Sequence, residues 1–238
     1  MTLPETTDGT PDGTTGTTGT TALPDGERAR RHAPAGAAWL DAAATAVRRD
    51  PERVRDLFPA VARHVGRAPL PDRPGWTADE AGRAVLLKAL LLAGDALAAE
   101  VRALYRYGDA AEKRAVLRAL PELNVGARCT DLLTDALRTN DTRLVAAALG
   151  PYARHLDDAT WRQAVLKCVF SGVPLAGVDA LDERADAELG AMLADLHAER
   201  TAAGRRLADD ALRLLDRVGP SDGADRAPST HPREAAAS

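Results

Sequence analysis

The stretch DATWRQAVLKCVFS, residues 158–171, decides the fold class of this chain. In a helix, with about 100° between successive residues, its polar side chains share one narrow stripe. That stripe is formed by Thr160, Gln163, Lys167 and Ser171, and the apolar side chains that cover most of the rest are Trp161, Ala164, Val165, Leu166, Cys168, Val169 and Phe170. A helix that is apolar over so wide an arc is normally packed between neighbouring helices. The pattern therefore predicts a buried helix at the structural centre of the C-terminal half.

Helix start and stop signals continue in both directions from this stretch, and strand signals do not. Side chains suited to N-terminal caps are followed by glycines suited to C-terminal caps. The capping residues are Asp50, Thr77 with Glu80, Asp109 with Glu112, Asp141, and Asp157 or Asp158; the glycines are Gly66, Gly108 and Gly172. These signals predict helices over 35–49, 51–65, 77–107, 109–120, 124–138, 141–155, 158–171 and 183–217. Candidate breaks lie at Gly94 and near Gly204, and Pro151 is expected to break or kink its helix.

The composition agrees with an all-α fold. The chain has 238 residues but only three Trp, three Tyr and two Phe, whereas β-sandwiches and barrels rely on aromatic and β-branched strands. Caps at Asp109 and Asp141, about 32 residues apart, each open a helical hairpin, and this spacing is typical of stacked HEAT- or TPR-like helix pairs. We therefore predict an irregular α-solenoid or a compact α–α helical array.

The two ends differ from this helical region. Residues 1–33 contain three consecutive Gly-Thr-Thr triplets and no apolar run, and residues 219–238 are rich in Pro, Ser, Asp and Ala without periodicity. Such compositions bury too little apolar surface to offset the entropy of ordering the chain. The sequence predicts a single helical domain over 34–218 between two disordered tails.

Charge and hydropathy exclude several kinds of partner. Lys and Arg total 31 against 35 Asp and Glu, a net charge of −4, so no basic excess exists to bind nucleic acid. Lys88 and Asp95 interrupt the most apolar stretch, and a transmembrane helix needs roughly 20 largely apolar residues. The first residues lack the basic and apolar regions of a secretory signal. We expect a cytoplasmic protein without a transmembrane segment, in which Cys129 and Cys168 are reduced and pack as small apolar side chains.

One group of polar side chains stands out on the predicted helix after residue 182. Arg200 lies in the middle of a leucine face, and His197 lies on the edge of that face. An arginine there must reach water along its stem or meet a carboxylate, for which Asp182 and Glu183 are candidates. The residues predicted to bind a ligand or partner are Lys167, Asp182, Arg184, His197 and Arg200. Each also has a structural explanation, as an internal ion pair or a solvated charge.

The sequence shows no established catalytic or metal-binding motif. The five histidines include no pair at i, i+3 or i, i+4, and neither cysteine has a CxxC partner, so no helical zinc site is predicted. The acidic residues Asp182, Glu183 and Asp186 lack the spacing of a prenyl-diphosphate aspartate motif and are explained by the helix dipole. There is no GxGxxG, P-loop or nucleophile elbow. We therefore predict no catalytic residue, no cofactor and no metal.

Several short strings between residues 105 and 205 occur in an order that points to a known family. They are YRYGD (105–109), RAVLRALP (114–121), ALRTN (136–140), Trp161 with VLK (165–167), GVPL (172–175), LDERA (181–185), EL (188–189), ML (192–193), HAER (197–200) and AAGR (202–205). In this ordered set the chain resembles the EboA family. It departs from the family pattern at 149–152, a shortened Pro/Tyr stretch, and at Thr201, where the family often has an aromatic residue. Residues 34–76 match the family poorly.

The resemblance implies a role in metabolite traffic. EboA-like proteins look like cytoplasmic members of a gene cluster that moves lipophilic or prenyl-linked precursors of secondary metabolites across the inner membrane. Other members look like the enzymes, including a membrane prenyltransferase. The resemblance implies no catalytic residue for this component.

Two hypotheses of different classes follow from the residues and the resemblance. The first is a non-catalytic scaffold, adaptor or carrier, which would bind proteins of the same pathway or hold a lipophilic metabolite between its helices. The second is an enzyme that modifies a small molecule with the charged cluster at 182–200. Convergence of Lys167, Arg184, His197 and Arg200 on one cavity would favour a ligand site, and divergence would favour the scaffold.

Overall fold

The structure, a computed structural model, describes residues 34–219. Those residues form eleven α-helices and no β-strand, which confirms the all-α prediction. The helices are α1 (Pro34–Arg49), α2 (Val54–Val65), α3 (Ala78–Ala89), α4 (Gly94–Tyr107), α5 (Ala110–Ala119), α6 (Thr130–Arg138), α7 (Thr142–Ala148), α8 (Asp158–Ser171), α9 (Leu181–Arg184), α10 (Ala187–Ala202) and α11 (Asp209–Val218). Short 3-10 turns lie at Pro51–Arg53, Leu120–Glu122, Pro151–His155 and Leu175–Gly177. The disorder predicted for 1–33 and 219–238 lies, apart from Gly219, outside the described residues.

Most helix starts are where the capping side chains predict them. The backbone N–H of Thr77 donates to the Glu80 carboxylate at 3.0 Å, and that of Asp109 donates to Glu112 at 3.0 Å. Both pairs form capping boxes that satisfy donors of the first helical turn. Asp157 rather than Asp158 caps α8, because its carboxylate accepts the Thr160 N–H at 2.8 Å.

Two predicted helices, 124–138 and 141–155, are shorter than expected because a tertiary contact and a proline interrupt them. α6 begins at Thr130 instead of 124, and the Tyr152 hydroxyl holds the preceding turn by accepting from the Cys129 N–H at 3.0 Å and donating to the Gly126 carbonyl at 2.5 Å. α7 ends at Ala148, and Pro151, which lacks an N–H and obstructs the preceding turn, opens a separate 3-10 turn.

The predicted helices 183–217 and 77–107 are also interrupted, close to the glycines that were expected to break them. The predicted helix 183–217 is three helices, α9, α10 and α11, with Asp186 capping α10 and Gly204 at φ 66° in the connection to α11. The break in 77–107 falls at 90–93, immediately before Gly94. Gly108 is extended at φ −78°, so it is not the predicted left-handed cap. A Cβ there would lie 2.7 Å from the Leu104 carbonyl oxygen, so close packing rather than backbone conformation requires glycine.

The helix α8 is packed as its sequence pattern predicts, except at its last turn. Trp161, Val165 and Cys168 are completely buried, and α8 contacts α7, α10 and the turn at Leu175–Gly177. Phe170, however, is 62% exposed although it belongs to the predicted apolar arc. Its ring lies at the rim of the domain, 4.8 Å below the Arg200 guanidinium. The arc is therefore narrower than the residue types suggest.

Both cysteines lie in the hydrophobic core as free thiols, which confirms that they pack as small apolar side chains. Burial raises the pKa of Cys129 above its ordinary value and raises the pKa of Cys168 to about 11. The thiols are therefore protonated near neutral pH and poorly reactive.

Across residues 34–219, no helix has the length and apolar character needed to cross a lipid bilayer. The choice between a solenoid and a compact array, and the proposed helical repeat, stay predictions.

Asp141 gives the fold a pH-dependent helix cap. Its carboxylate accepts the Arg143 N–H at 2.9 Å and two bonds from the Arg143 guanidinium at 3.0 and 2.8 Å. The hydrogen bond from the guanidinium is the main reason why the pKa of Asp141 falls to about 2. We expect Asp141→Ala to lower the free energy of unfolding at pH 7 by about 1 kcal/mol.

The sign of the pH dependence follows from the lowered pKa. The charged carboxylate stabilises the folded state above its unfolded pKa of about 4, and this contribution is lost as pH falls from there towards 2. Urea denaturation of wild type and variant at pH 7 and pH 3 should therefore show a smaller difference at pH 3. A difference independent of pH would contradict the assignment.

Candidate functional site

The side chains predicted to bind a ligand do not meet in one cavity, although all of them lie within the described residues. Lys167 donates through Nζ to the carbonyl oxygens of Leu137 and Thr139 at 2.5 and 2.8 Å. Both carbonyls lie at the C-terminal end of α6, where no later N–H of the helix is available to donate to them. Lys167 therefore caps α6 from the neighbouring helix, and with Phe170 it also lines a surface pocket of about 390 Å³.

Arg184 is held at the opposite end of α8. It donates to the carbonyl oxygens of Ala153 and Leu156 at 3.0 Å each and to the Asp158 carboxylate at 2.6 Å. Its guanidinium carbon also lies 4.7 Å from the centre of the Trp161 ring. The arginine thus joins the Pro151–His155 turn to the start of α8.

One of the two carboxylates expected to pair with Arg200 is paired elsewhere. Asp182 forms an ion pair with Arg217, which links α9 to α11. Arg200 instead donates to the Phe170 carbonyl oxygen at 2.8 Å and covers the ring of that residue, so the expected pairing with Asp182 or Glu183 is not formed. His197 Nδ1 is buried and finds no hydrogen-bond partner in the range 34–219. The partners found for the other four account for their positions without a ligand, and the ligand-binding role stays a prediction.

A buried ionic network, which the sequence analysis did not identify, lies at the start of α3. Asp79, Glu80 and Arg83 are 2%, 0% and 1% exposed. Arg83 donates to Asp79 at 2.6 Å and lies 3.7 Å from the carboxylate of Glu112. Such charges are stable in a core only when they are paired.

Glu80 extends the network towards α5. Its carboxylate accepts the Thr77 N–H at 3.0 Å and pairs with Arg118 at 3.1 Å and with Arg114. The Thr77–Glu80 capping box was visible in the sequence. The burial of the box was not visible, because it depends on α5 packing over α3.

A pocket of about 400 Å³, which we call the α2–α4 pocket, lies beside this network. Its lining is mostly apolar and comes from α2, from α4 and from the start of α5. The lining residues are Arg55, Phe58, Pro59, Ala103, Leu104, Tyr107, Gly108 and Glu112. Phe58 is 1% exposed, whereas Tyr107 is 84% exposed at the rim. At another edge Arg55 forms a bidentate pair with Glu100, at 2.9 and 2.8 Å.

A second pocket, of about 520 Å³, lies on the loop that precedes α3, and we call it the Trp76 pocket. The loop contributes Arg73, Pro74, Gly75 and Trp76, and α5 contributes Leu117 and Arg118. Small residues of α7 and of the turns at 150–151 and 177 complete the wall. Pro121 and Glu122 also line it, so the pocket combines apolar walls with two guanidinium groups and one carboxylate.

Within residues 34–219, no group of three or more His, Cys, Asp or Glu side chains is arranged to hold a metal ion. The polar groups of both pockets are instead the charged side chains of the ionic network and its neighbours.

The comparisons with known proteins agree with the string-by-string resemblance and extend it. Neither a curated protein nor a solved structure gives a significant match to the chain. A family model described as "Metabolite traffic protein EboA" matches residues 29–216, which includes the segment 34–76 where the sequence analysis found little resemblance. Because this match covers most of the chain and nearly the whole described structure, the protein belongs to the EboA family.

Proposed function

We propose that this protein is a non-catalytic carrier and scaffold that acts in the cytoplasm, in the traffic of a lipophilic, prenyl-linked precursor of a secondary metabolite. The family description supports metabolite traffic. The observation that carries the carrier role is the α2–α4 pocket, whose volume of about 400 Å³ lies within the range typical of small-molecule sites.

The chemistry of the lining favours an apolar ligand. Phe58, Pro59 and Leu104 offer hydrocarbon surface, whose contact with a lipophilic molecule releases water from both. Tyr107 at the rim presents an apolar ring with a polar tip, as aromatic residues at binding surfaces often do. Glu112 supplies one polar group inside the pocket, and its neighbour Arg83 keeps that carboxylate in place.

A carrier must also receive and deliver its ligand, so we propose protein partners of the same pathway, including a membrane prenyltransferase. The enzyme hypothesis gains no support from the geometry. Asp182 pairs with Arg217, and Arg184 and Arg200 bind backbone carbonyls. An enzyme is expected to bring an acid, a base and a closed pocket together.

The carrier proposal can be tested by filling the pocket. Ala103 is partly exposed in the wall of the α2–α4 pocket, so Ala103→Phe places a ring in the space of the ligand. We expect the full chain to bind the neutral lipophilic fluorophore N-phenyl-1-naphthylamine, and the variant to bind it at least about tenfold more weakly, a change of about 1.4 kcal/mol.

Ala99→Phe is the matched control, because Ala99 is exposed on the same helix and lies outside the lining. This control should bind the fluorophore like the wild type, and thermal unfolding should show that both variants are folded. Equal binding by Ala103→Phe and wild type would rule out the α2–α4 pocket as the carrier site.

A further inference from the structure

The Trp76 pocket differs from the α2–α4 pocket because two arginines lie against its tryptophan. A ligand bound there would be independent of the carrier role. The walls of the pocket are mostly apolar, with Trp76, Pro74 and Leu117 among them. Two guanidinium groups lie against the same tryptophan. The guanidinium carbon of Arg73 is 3.4 Å from the ring centre, and that of Arg118 is 5.5 Å away.

Arg118 keeps unused hydrogen-bond donors in this pocket. Its Nη1 donates to the Glu80 carboxylate at 3.1 Å and to the Gly75 carbonyl oxygen. Its Nε and Nη2 find no acceptor among the described residues, and both atoms remain accessible to solvent. The side chain as a whole is only 21% exposed, so these donors are presented from a fixed, partly buried arginine.

Two other arginines, Arg114 and Arg73, lie close enough to Arg118 to repel its charge. Glu80 is shared by Arg114 and Arg118, and Glu122 is shared by Arg73 and Lys88 at 2.6 and 2.8 Å. The Glu122 carboxylate also lines the pocket, and its charge there is offset by Arg73 and Lys88. Burial lowers the pKa of the Arg118 guanidinium, and the charges of Arg114 and Arg73 lower it further, although the charge of Glu80 acts in the opposite direction. A bound anion would relieve this repulsion.

We propose that the Trp76 pocket binds an amphipathic organic anion, an apolar molecule that ends in a phosphate or a carboxylate. The anionic group accepts hydrogen bonds from Nε and Nη2 of Arg118, the adjacent donors with which a guanidinium binds two oxygens of one such group. The apolar body of the ligand lies along Trp76, Pro74 and Leu117, where its burial adds to the charge contact.

Isothermal titration of the full chain with four small probes tests both halves of the ligand. Octyl phosphate and octanoate carry the two candidate anionic groups on one apolar chain. 1-Octanol keeps the chain without the charge, and inorganic phosphate keeps the charge without the chain. We expect saturable binding of octyl phosphate or octanoate at one site, at least about tenfold tighter than binding of octanol or inorganic phosphate. The tighter of the two anions identifies the head group.

Two variants assign this binding to the pocket. Arg118→Met removes the donors but leaves Glu80 paired with Arg114, and Gly177→Phe fills the pocket from a position where an added Cβ meets nothing within 4 Å. Each should weaken binding of the tighter anion at least about tenfold. Arg63→Met, at an exposed arginine outside the pocket, should leave it unchanged.

Tenfold losses in both pocket variants, beside an unchanged Arg63→Met, would establish the site. The proposal is wrong if the wild type shows no saturable binding of either anion, or if either folded variant binds as tightly as the wild type. If Arg118→Met does not fold, Gly177→Phe alone decides. The α2–α4 pocket shares no lining residue with this one, so the carrier proposal stands or fails separately.

Discussion

Trp161→Ala should lower the free energy of unfolding by about 3–5 kcal/mol, because truncating a buried indole leaves a cavity that the surrounding core closes only in part. Trp161 has no exposed surface. It lies on α8, which packs against α7, α10 and the turn at Leu175–Gly177, so the cavity would open at the meeting point of several elements. Urea denaturation at pH 7 measures the loss.

Trp161→Phe is the informative control. The indole N–H has no acceptor within the described residues, so losing it removes no hydrogen bond. The phenyl ring keeps part of the buried volume and keeps an aromatic face for the Arg184 guanidinium, which lies 4.7 Å from the tryptophan ring centre. We expect this variant to lose clearly less stability than Trp161→Ala. A loss below about 1 kcal/mol for Trp161→Ala would mean that α8 is peripheral.

The second large effect is expected at Arg83. Arg83→Met keeps most of the aliphatic volume but removes the charge that pairs with Asp79 at 2.6 Å and lies 3.7 Å from Glu112. Removing one member of a buried pair strands the other, which typically costs about 3–5 kcal/mol. The variant should lose that much at pH 7 in the same urea experiment.

A double variant separates the stranded charge from lost packing. In Arg83→Met the buried Asp79 carboxylate keeps only the exposed Arg67, at 3.8 Å, as a cation partner. Adding Asp79→Asn removes that carboxylate, so the double variant should be more stable than Arg83→Met alone by about 1 kcal/mol or more. If the second substitution makes the protein still less stable, packing of the arginine stem rather than its charge explains the effect. A cost below about 1 kcal/mol for Arg83→Met would show that the network tolerates the loss.

The parts of the fold that could be predicted from sequence are those encoded within a few residues. Thr77 with Glu80 and Asp109 with Glu112 form their capping boxes because both members lie in one helical turn. The start of α6 could not be predicted, because the turn before it is held by Tyr152, far along the chain. The exposure of Phe170 also depends on tertiary packing. Periodicity shows which residues share a helix face, but it does not show where the neighbouring helix ends.

The candidate site shows the same limit more strongly. Lys167 was selected because it lies on a polar stripe, yet its partners are carbonyl oxygens of α6 that only tertiary packing brings within reach. Asp79 and Arg83 have the i, i+4 spacing that is normally found in solvated pairs on a helix surface, so their spacing alone does not predict burial. They are buried because α2 and α5 cover the first turn of α3. The sequence identifies the charged side chains, but it does not predict which groups surround them in the folded protein.

The two core thiols also make this protein convenient for site-specific labelling. Maleimides and iodoacetamides attack the thiolate, and both Cys129 and Cys168 are buried with raised pKa values. A cysteine introduced at an exposed position such as Ala99 would therefore react long before either native thiol. A fluorophore or spin label could be attached there without first removing the native cysteines. The slower rate at which Cys129 and Cys168 are modified would then report how often the core around α6 and α8 opens.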